Sequence, residues 1–242
     1  MKTVGVIQCR LNSKRCDQKM LLPCWNDQPL ISCVLRRVQA SRRLEDIVVA
    51  MPSADKKSEL TAVLARETNP PKYFYGSEAD VVSRIIDAAE SVNATHIVRI
   101  CADNPFVDPY LIDDLVSMHE IWPDVPYLYN HRPIFSDDLI HDGFGAEFVD
   151  IDTLRRAHAS PQANDLTREH MTSLLIDFLD RTACRLAPYP KKFTLPLKID
   201  IDENKDYEQL KQLFESVDEL CSYFEIEQFL NNVYPDRPYK YR

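Results

Sequence analysis

The sequence predicts an α/β fold in which helices cover both faces of a doubly wound, mostly parallel β-sheet. Short β-branched apolar runs alternate with stretches of helical apolar spacing through the first half of the chain. The connections between them are short, as in folds built from consecutive strand-helix units. The length of 242 residues suits one such domain, so we treat residues 1–242 as a single domain.

The strands of the first half are predicted from β-favouring runs, and the helices from apolar residues recurring at three and four positions. The predicted strands cover residues 3–9, 47–51, 73–75 and 97–100. The helical stripes are Ile31, Val34, Leu35 and Val38, then Leu60, Val63 and Leu64, then Val82, Ile85, Ile86 and Ala89, and finally Ile112, Leu115, Val116 and His119. Ser77 with Asp80 has the pattern of a capping box, and Asp108 before Pro109 predicts a helix start. We interpret His119 as a helix-end residue.

The pattern loosens beyond Trp122, where prolines and polar residues surround a short apolar segment at 127–130. We interpret residues 123–165 as an excursion on the substrate side or at a dimer interface. Gly143 and Gly145 lie close together in a chain with four glycines, which predicts an unusual torsion or a close backbone approach. A tight turn alone would also explain them.

Three further elements are predicted towards the end of the chain. Met171, Leu174, Leu175 and Phe178 form the stripe of a helix whose first turn is expected to contain Arg168, Glu169 and His170. Residues 197–202 alternate like a strand, and Leu210, Leu213, Phe214 and Val217 continue as a helix.

Composition excludes several classes of protein. Twenty-nine basic against 38 acidic residues give a net charge of −9, which argues against a nucleic-acid partner. Seven cysteines without a Cys-x-x-Cys pair argue against a disulfide framework or a zinc site. No apolar run is long enough to span a membrane and the first residues resemble a strand, so a cytoplasmic protein without a membrane partner is expected.

A basic loop follows the first predicted strand. It carries Arg10, Lys14, Arg15 and Lys19 together with Ser13, in an otherwise acidic chain. Without a glycine it cannot be a Walker loop, but four cations at the ligand edge of a sheet could neutralise a triphosphate. The alternative is a solvated surface loop.

Acidic residues follow two predicted strands at the same edge. Asp103 comes just after the strand at 97–100, and Asp200 and Asp202 share one face of the predicted late strand. Two carboxylates that converge would hold Mg²⁺ and leave room for substrate phosphates. Sequence physics does not choose between Asp200 and Asp202, and turn or helix capping is the alternative for Asp103 and Asp202.

These motifs resemble the cytidylyltransferase family that includes the spore-coat-polysaccharide F-type proteins and the Kdo and acylneuraminate cytidylyltransferases. The family pattern Ala-Arg-x-x-Ser-x-Arg-x-Pro-Gly-Lys is matched at Arg10, Ser13, Arg15 and Lys19, whereas Cys9, Asp17 and Gln18 depart from it. Further similar segments are residues 75–81 (Gly-Ser-Glu-x-Asp-Val), 97–105 (the strand before a metal-binding aspartate), 143–148 (Gly-x-x-x-Glu), 167–172 (Arg-Glu-His-Val-Thr) and 201–207 (Val-Asp-Thr-x-x-Asp).

The resemblance implies a nucleotide-diphospho-sugar transferase, or GT-A type, of Rossmann-like fold. It implies transfer of a cytidylyl group from CTP to an acidic, nonulosonic or Kdo-like sugar for surface polysaccharide synthesis. The resemblance implies catalytic roles for Lys19, Arg15 and Arg10, and it implies that Asp103 and Asp202 bind Mg²⁺. The residues expected to bind substrate are Ser13, Ser77, Asp80, Glu147, Arg168 and His170. Relatives pair through the inserted region, so a homodimer is a further expectation.

Two other functions stay open from the sequence. A glycosyltransferase that uses a nucleotide sugar has the same gross fold, but Asp103-Asn104-Pro105 lacks the Asp-x-Asp motif expected for its metal. A non-catalytic sugar-nucleotide binding homologue is suggested by the missing Pro-Gly. His170 could equally pack in the interface between the lobes.

Overall fold

The computed structural model describes residues 1–13, 15–131, 134–135, 142–187 and 198–233. Its strands are β1 (Thr3–Gln8), β2 (Asp46–Pro52), β3 (Lys72–Gly76), β4 (His96–Cys101), β5 (Tyr127–Tyr129), β6 (Glu147–Asp150) and β7 (Cys184–Leu186). Its α-helices are α1 (Leu30–Gln39), α2 (Glu59–Leu64), α3 (Val81–Glu90), α4 (Pro109–Ile121), α5 (Ile151–His158), α6 (Asp165–Glu169), α7 (Met171–Phe178), α8 (Asn204–Ser216) and α9 (Tyr223–Val233).

The seven strands form one sheet in the order β3-β2-β1-β4-β6-β5-β7. All neighbouring pairs are parallel except those of β6, which is antiparallel to β4 and to β5. The predicted mostly parallel sheet is therefore confirmed. From β1 the chain adds β2 and β3 on one side and then crosses to β4 on the other, which places a topological switch point, the usual ligand crevice, between β1 and β4.

Helices pack on both faces of the sheet, as a doubly wound fold requires. One core contains buried residues of α1, α2, α4, α8 and α9, and the other contains those of α3, α5 and α7. The helical stripes predicted at Ile31, Ile85 and Leu115 all lie in these cores. His119 is buried in the last turn of α4, as expected for a helix-end residue.

The segment between 123 and 165 contributes to the sheet itself. Its described residues include β5, β6 and α5. Gly143 has a φ of 103°, which is the predicted unusual torsion. A Cβ at Gly145 would lie 1.8 Å from the carbonyl oxygen of Asn130, which is the predicted close backbone approach. Its role on the substrate side or in pairing stays a prediction.

Three local predictions were wrong. Residues 198–202 form no strand, although Ile199 and Ile201 are buried; the alternation reflects burial of a loop, and Leu197 lies outside the described residues. Arg168 and Glu169 belong to the separate helix α6, because Asn164 caps that helix and His170, with a φ of −123°, ends it.

The third error concerns the start of α3. Asp80, and not Ser77, is its cap, because the Asp80 carboxylate accepts from the backbone N–H of Ser83. The Ser77 hydroxyl accepts from the backbone N–H of Asp80.

Within the described part of the chain, no helix is long and apolar enough to cross a membrane.

Candidate active site

The basic loop and Asp103 leave the sheet side by side. Strands β1 and β4 are parallel neighbours, and their last residues, Gln8 and Cys101, are partners in register. The chain after β1 therefore enters the basic loop beside the chain that leads from β4 to Asp103. This is the crevice that the strand order predicts as the ligand site.

Lys19 links the basic loop to both acidic segments. Its ammonium donates to Asp103 Oδ2 and to the carbonyl oxygen of Ile201, both at 2.8 Å, and the residue is 8% exposed. Burial alone would raise the pKa of Asp103, but the charge and hydrogen bond of Lys19, with further help from His131 and Arg99, lower it. A buried ammonium that faces a carboxylate does not fit a solvated surface loop.

The two acidic segments lie side by side, while the predicted convergence of their carboxylates on Mg²⁺ stays a prediction. The backbone N–H of Ile201 donates to the carbonyl oxygen of Asp103 at 2.9 Å, which holds residues 200–202 against the end of β4. Arg15 Nη2 donates to Asp202 Oδ1 at 2.7 Å. Asp202 does not cap α8, since Glu203 occupies the cap position.

Lys198 completes this acidic segment and was not predicted. Its ammonium lies between the carboxylates of Asp200, Asp202 and Asp206. Asp200 and Asp202 are close to it in sequence, but spacing alone does not predict that all three carboxylates contact one ammonium.

Asp103, Asp200 and Asp202 carry carboxylate oxygens, which is the donor type that a hard divalent cation prefers. Asp200 Oδ1 is buried without a hydrogen-bond partner in the described part of the chain. Burial above all raises the pKa of Asp200, the charge and hydrogen bond of Lys198 oppose this shift, and Asp103 and Asp202 add smaller increases. The described residues contain no cluster of three or more side chains placed to hold a metal ion. Mg²⁺ commonly binds proteins through one or two carboxylates and completes its shell with water and phosphate oxygens.

Glu147 is enclosed in the protein interior. Its carboxylate is fully buried on β6 and accepts hydrogen bonds from Arg99 Nη1 at 2.6 Å, from Tyr127 Oη at 2.6 Å and from Thr172. Burial would raise its pKa, but Arg99 above all lowers it to about 2. The resemblance implies a residue that faces the sugar, whereas the structure places Glu147 as the internal partner of Arg99.

Asp80 and Arg168, both predicted to bind substrate, contact each other. Arg168 Nη1 donates to Asp80 Oδ2 at 2.7 Å, and His158 Nε2 lies 2.8 Å from the same oxygen. These contacts and the capping of α3 outweigh burial and lower the pKa of Asp80. The pair joins α6 to the start of α3.

The remaining predicted residues lie in more open positions. Ser77, Arg10 and His170 are exposed, and Ser13 is half-buried. Arg10 Nη2 lies 4.0 Å from Glu169 Oε1. The exposure of His170 argues against the alternative that it packs in the interface between the lobes. Lys14 lies outside the described residues.

His131 is a second residue that sequence reasoning missed. It follows β5 at the same edge of the sheet, is buried, and has its Nδ1 atom 3.1 Å from Asn104 Nδ2 and 3.6 Å from Asp142 Oδ1. Its position next to Asn104, and thus near Asp103, depends on the insertion of β6 and could not be predicted from spacing.

Comparison with known proteins shows the family of the chain. A family model described as cytidylyltransferase matches residues 4–232. The spore coat polysaccharide biosynthesis protein SpsF of Bacillus subtilis (strain 168) is 27% identical over 220 residues, covering 88% of this chain and 87% of that protein. The 3-deoxy-manno-octulosonate cytidylyltransferase of Pelodictyon phaeoclathratiforme is 34% identical over 114 residues, covering 47% of this chain and 44% of that protein.

A solved structure supports the fold. A cytidylyltransferase from Leptospira borgpetersenii serovar Hardjo-bovis superposes with a TM-score of 0.84 at 23% identity, covering 100% of this chain and 99% of that chain. The family model spans nearly the whole chain, including the basic loop, Asp103 and Asp202. The chain belongs to the cytidylyltransferase family.

Proposed function

We propose that this protein transfers a cytidylyl group from CTP to the anomeric hydroxyl of an acidic sugar, nonulosonic or Kdo-like. Family membership supports the cytidylyl transfer, and the 3-deoxy-manno-octulosonate enzyme among the relatives supports an acidic sugar. The spore-coat relative supports a place in polysaccharide synthesis. The observation that carries the proposal is the buried Lys19 ammonium between Asp103 and the Ile201 carbonyl at the β1/β4 switch point.

In this proposal the sugar hydroxyl oxygen attacks the α-phosphorus of CTP. The bond from that phosphorus to the bridging oxygen breaks, pyrophosphate leaves, and the hydroxyl proton passes to solvent. Lys19 uses two of its three N–H donors on the protein, so the third can face a phosphate oxygen. Arg10 and Arg15 are exposed at the same loop and would bind the outer phosphates by charge-assisted hydrogen bonds.

Asp103 and Asp202, with Asp200 beside them, would hold a Mg²⁺ ion. That ion would supply positive charge against the triphosphate and the leaving pyrophosphate, because an anionic sugar and a triphosphate repel each other. The protein side chains would orient the two substrates, which lowers the entropic part of the barrier.

A nucleotide and sugar screen tests the proposal. CTP, UTP, ATP and GTP are each combined with a panel of acidic and neutral sugars, and pyrophosphate release is measured. We expect release with CTP and one class of acidic sugar only. Release with another nucleotide, or with CTP and neutral sugars only, would contradict the proposal, and turnover of a nucleotide sugar without pyrophosphate would favour the glycosyltransferase alternative.

A further inference from the structure

The ammonium of Lys198 is surrounded by three carboxylates. Its Nζ lies 3.0 Å from Asp200 Oδ2, 2.8 Å from Asp202 Oδ2 and 3.2 Å from Asp206 Oδ2. Among the described residues, Lys198 contacts all three carboxylates, and Arg15 contacts Asp202 as well. Close like charges repel each other, and a cation among them reduces that repulsion.

The three carboxylates differ in how the rest of the protein holds them. Asp206 is fixed, because its Oδ2 also accepts from the backbone N–H groups of Asp202 at 3.0 Å and Glu203 at 2.8 Å. Asp202 accepts hydrogen bonds from both Lys198 and Arg15. Asp200 pairs with Lys198 through Oδ2, while its buried Oδ1 has no hydrogen-bond partner in the described ranges.

Asp200 and Asp202 are also the two sequence neighbours of the residue that contacts the backbone of Asp103. Ile201 lies between them and is bonded to the carbonyl oxygen of Asp103. A divalent cation that bound here would have to compete with Lys198 for the oxygens of Asp200 and Asp202. The ammonium thus lowers the negative potential at the position where the proposed function requires a metal ion.

We propose that Lys198 is an internal counter-ion that keeps the affinity of the nucleotide-free site for divalent cations low, so that the metal ion binds tightly only together with a nucleotide triphosphate. The proposal rests on the proposed function for its biological meaning. It makes Lys198 a positioning residue, since it acts through the carboxylates. Mg²⁺ dehydrates reluctantly and takes phosphates as ligands, so a site weakened in this way would fill when the phosphates arrive.

Manganese binding to the nucleotide-free protein tests this role. Mn²⁺ is titrated into wild type and Lys198→Met, and free Mn²⁺ is measured by electron paramagnetic resonance. Removing a unit positive charge a few ångströms from the site should tighten Mn²⁺ binding by about tenfold or more. Lys205→Met is the matched control: Lys205 is 69% exposed and pairs with Glu203, so the same loss of charge should leave the affinity within about twofold.

Two further variants keep the test decisive. Lys198→Arg keeps the charge and should bind Mn²⁺ like wild type. Lys198→Gln loses the charge but keeps a hydrogen-bond donor, so it should resemble Lys198→Met and replaces it if that variant does not fold. A Mn²⁺ affinity in the charge-neutral variants equal to wild type would overturn the inference. Because no nucleotide or sugar is present, a tightened affinity together with no CTP turnover would leave this inference standing and reject the proposed function instead.

Discussion

Gln18 has a left-handed backbone, with φ 49° and ψ 29°, at the position where the family pattern has glycine. The loop therefore keeps the conformation that glycine favours although the residue is different. A side chain in this region costs about 1 to 2 kcal/mol, part of which glycine would lose again through its greater freedom in the unfolded chain. The Asp17-Gln18 departure from the family motif thus strains the turn without removing it.

The Gln18→Gly variant should therefore be more stable than wild type by roughly 0.5 to 1 kcal/mol. The free energy of unfolding in urea measures the change. Gln28→Gly is the matched control, since Gln28 is exposed too but has a φ of −78°. Equal effects of the two substitutions would show that Gln18 is not strained.

Asp103 is the residue on which the metal assignment depends most directly. Asp103→Asn removes a charge from the predicted metal shell and should lower kcat by about a hundredfold or more in Mg²⁺, with a smaller effect on KM. Steady-state pyrophosphate release measures both. Asp152→Asn, whose side chain is 83% exposed on α5, is the control. A near wild-type kcat for Asp103→Asn would refute the metal assignment.

At the scale of the elements, the ion pair of Glu147 and Arg99 joins β4 to β6. The two residues are partners in the antiparallel register, and Arg99 also donates to Gln8 Oε1 on β1 through Nε and Nη2, at 3.1 and 3.0 Å. The pair, together with Gln8, thus connects the neighbouring strands β1, β4 and β6. Its burial argues for a structural role of Glu147, with an indirect effect on the strand that leads to Asp103.

Glu147→Gln should destabilise the protein by about 3 to 5 kcal/mol, because it leaves the buried Arg99 charge without its partner. Chemical denaturation measures this. Glu169→Gln is the control, since Glu169 is half-exposed and only 4.0 Å from Arg10, and a change below about 0.5 kcal/mol is expected. A stable Glu147→Gln protein with a raised KM for the sugar would instead support the substrate-facing role implied by the resemblance.

Two histidines make the opposite edge of the sheet sensitive to acid. The rings of His96 on β4 and His119 on α4 lie 4.8 Å apart, and both pack on Phe148. Burial lowers both pKa values, and for His96 the neighbouring His119 lowers it further, whereas Asp150 opposes the shift at both. The folded protein therefore binds these protons less readily than the unfolded chain.

The free energy of unfolding should accordingly fall as the pH drops below about 6.5, where the unfolded histidines begin to take up protons. Urea denaturation at pH 7.5 and 5.5 measures the fall, and it should be smaller in His119→Phe than in wild type. His170→Phe, at an exposed position, should show the full wild-type difference. An unchanged pH dependence in His119→Phe would contradict this explanation.

At the scale of the whole molecule, local sequence patterns predicted the strands, which depend mainly on neighbouring residues. The β-branched runs at 3–9, 47–51 and 97–100 predicted strands. The charged residues that follow the first and the last of these runs predicted which edge of the sheet binds the ligand. The antiparallel insertion of β6 between β4 and β5 was not predictable, because pairing across distant segments leaves no local signal.

The same limit explains the errors around the site. Burial of Ile199 and Ile201 produced a strand-like alternation in a loop, since burial of alternate residues does not require a ladder of hydrogen bonds. His131 was missed because its partner Asn104 is distant in sequence. Lys198 was missed although its carboxylate partners follow it closely, because their spacing does not show that they contact one ammonium. Lys19 and Asp103 were predicted because both follow strands that end at one edge.

The central claim is that this edge binds the triphosphate of CTP through Lys19, and calorimetric titration of CTP and CMP tests it most directly. In wild type, CTP should bind much more tightly than CMP. Lys19→Ala should reduce that ratio by about tenfold to a hundredfold, because a charge-assisted contact to phosphate contributes about 1.5 to 3 kcal/mol. Lys211→Ala, which removes a cation paired with Glu208 on α8, should leave the ratio unchanged. The same CTP-to-CMP ratio in wild type and Lys19→Ala would contradict the account.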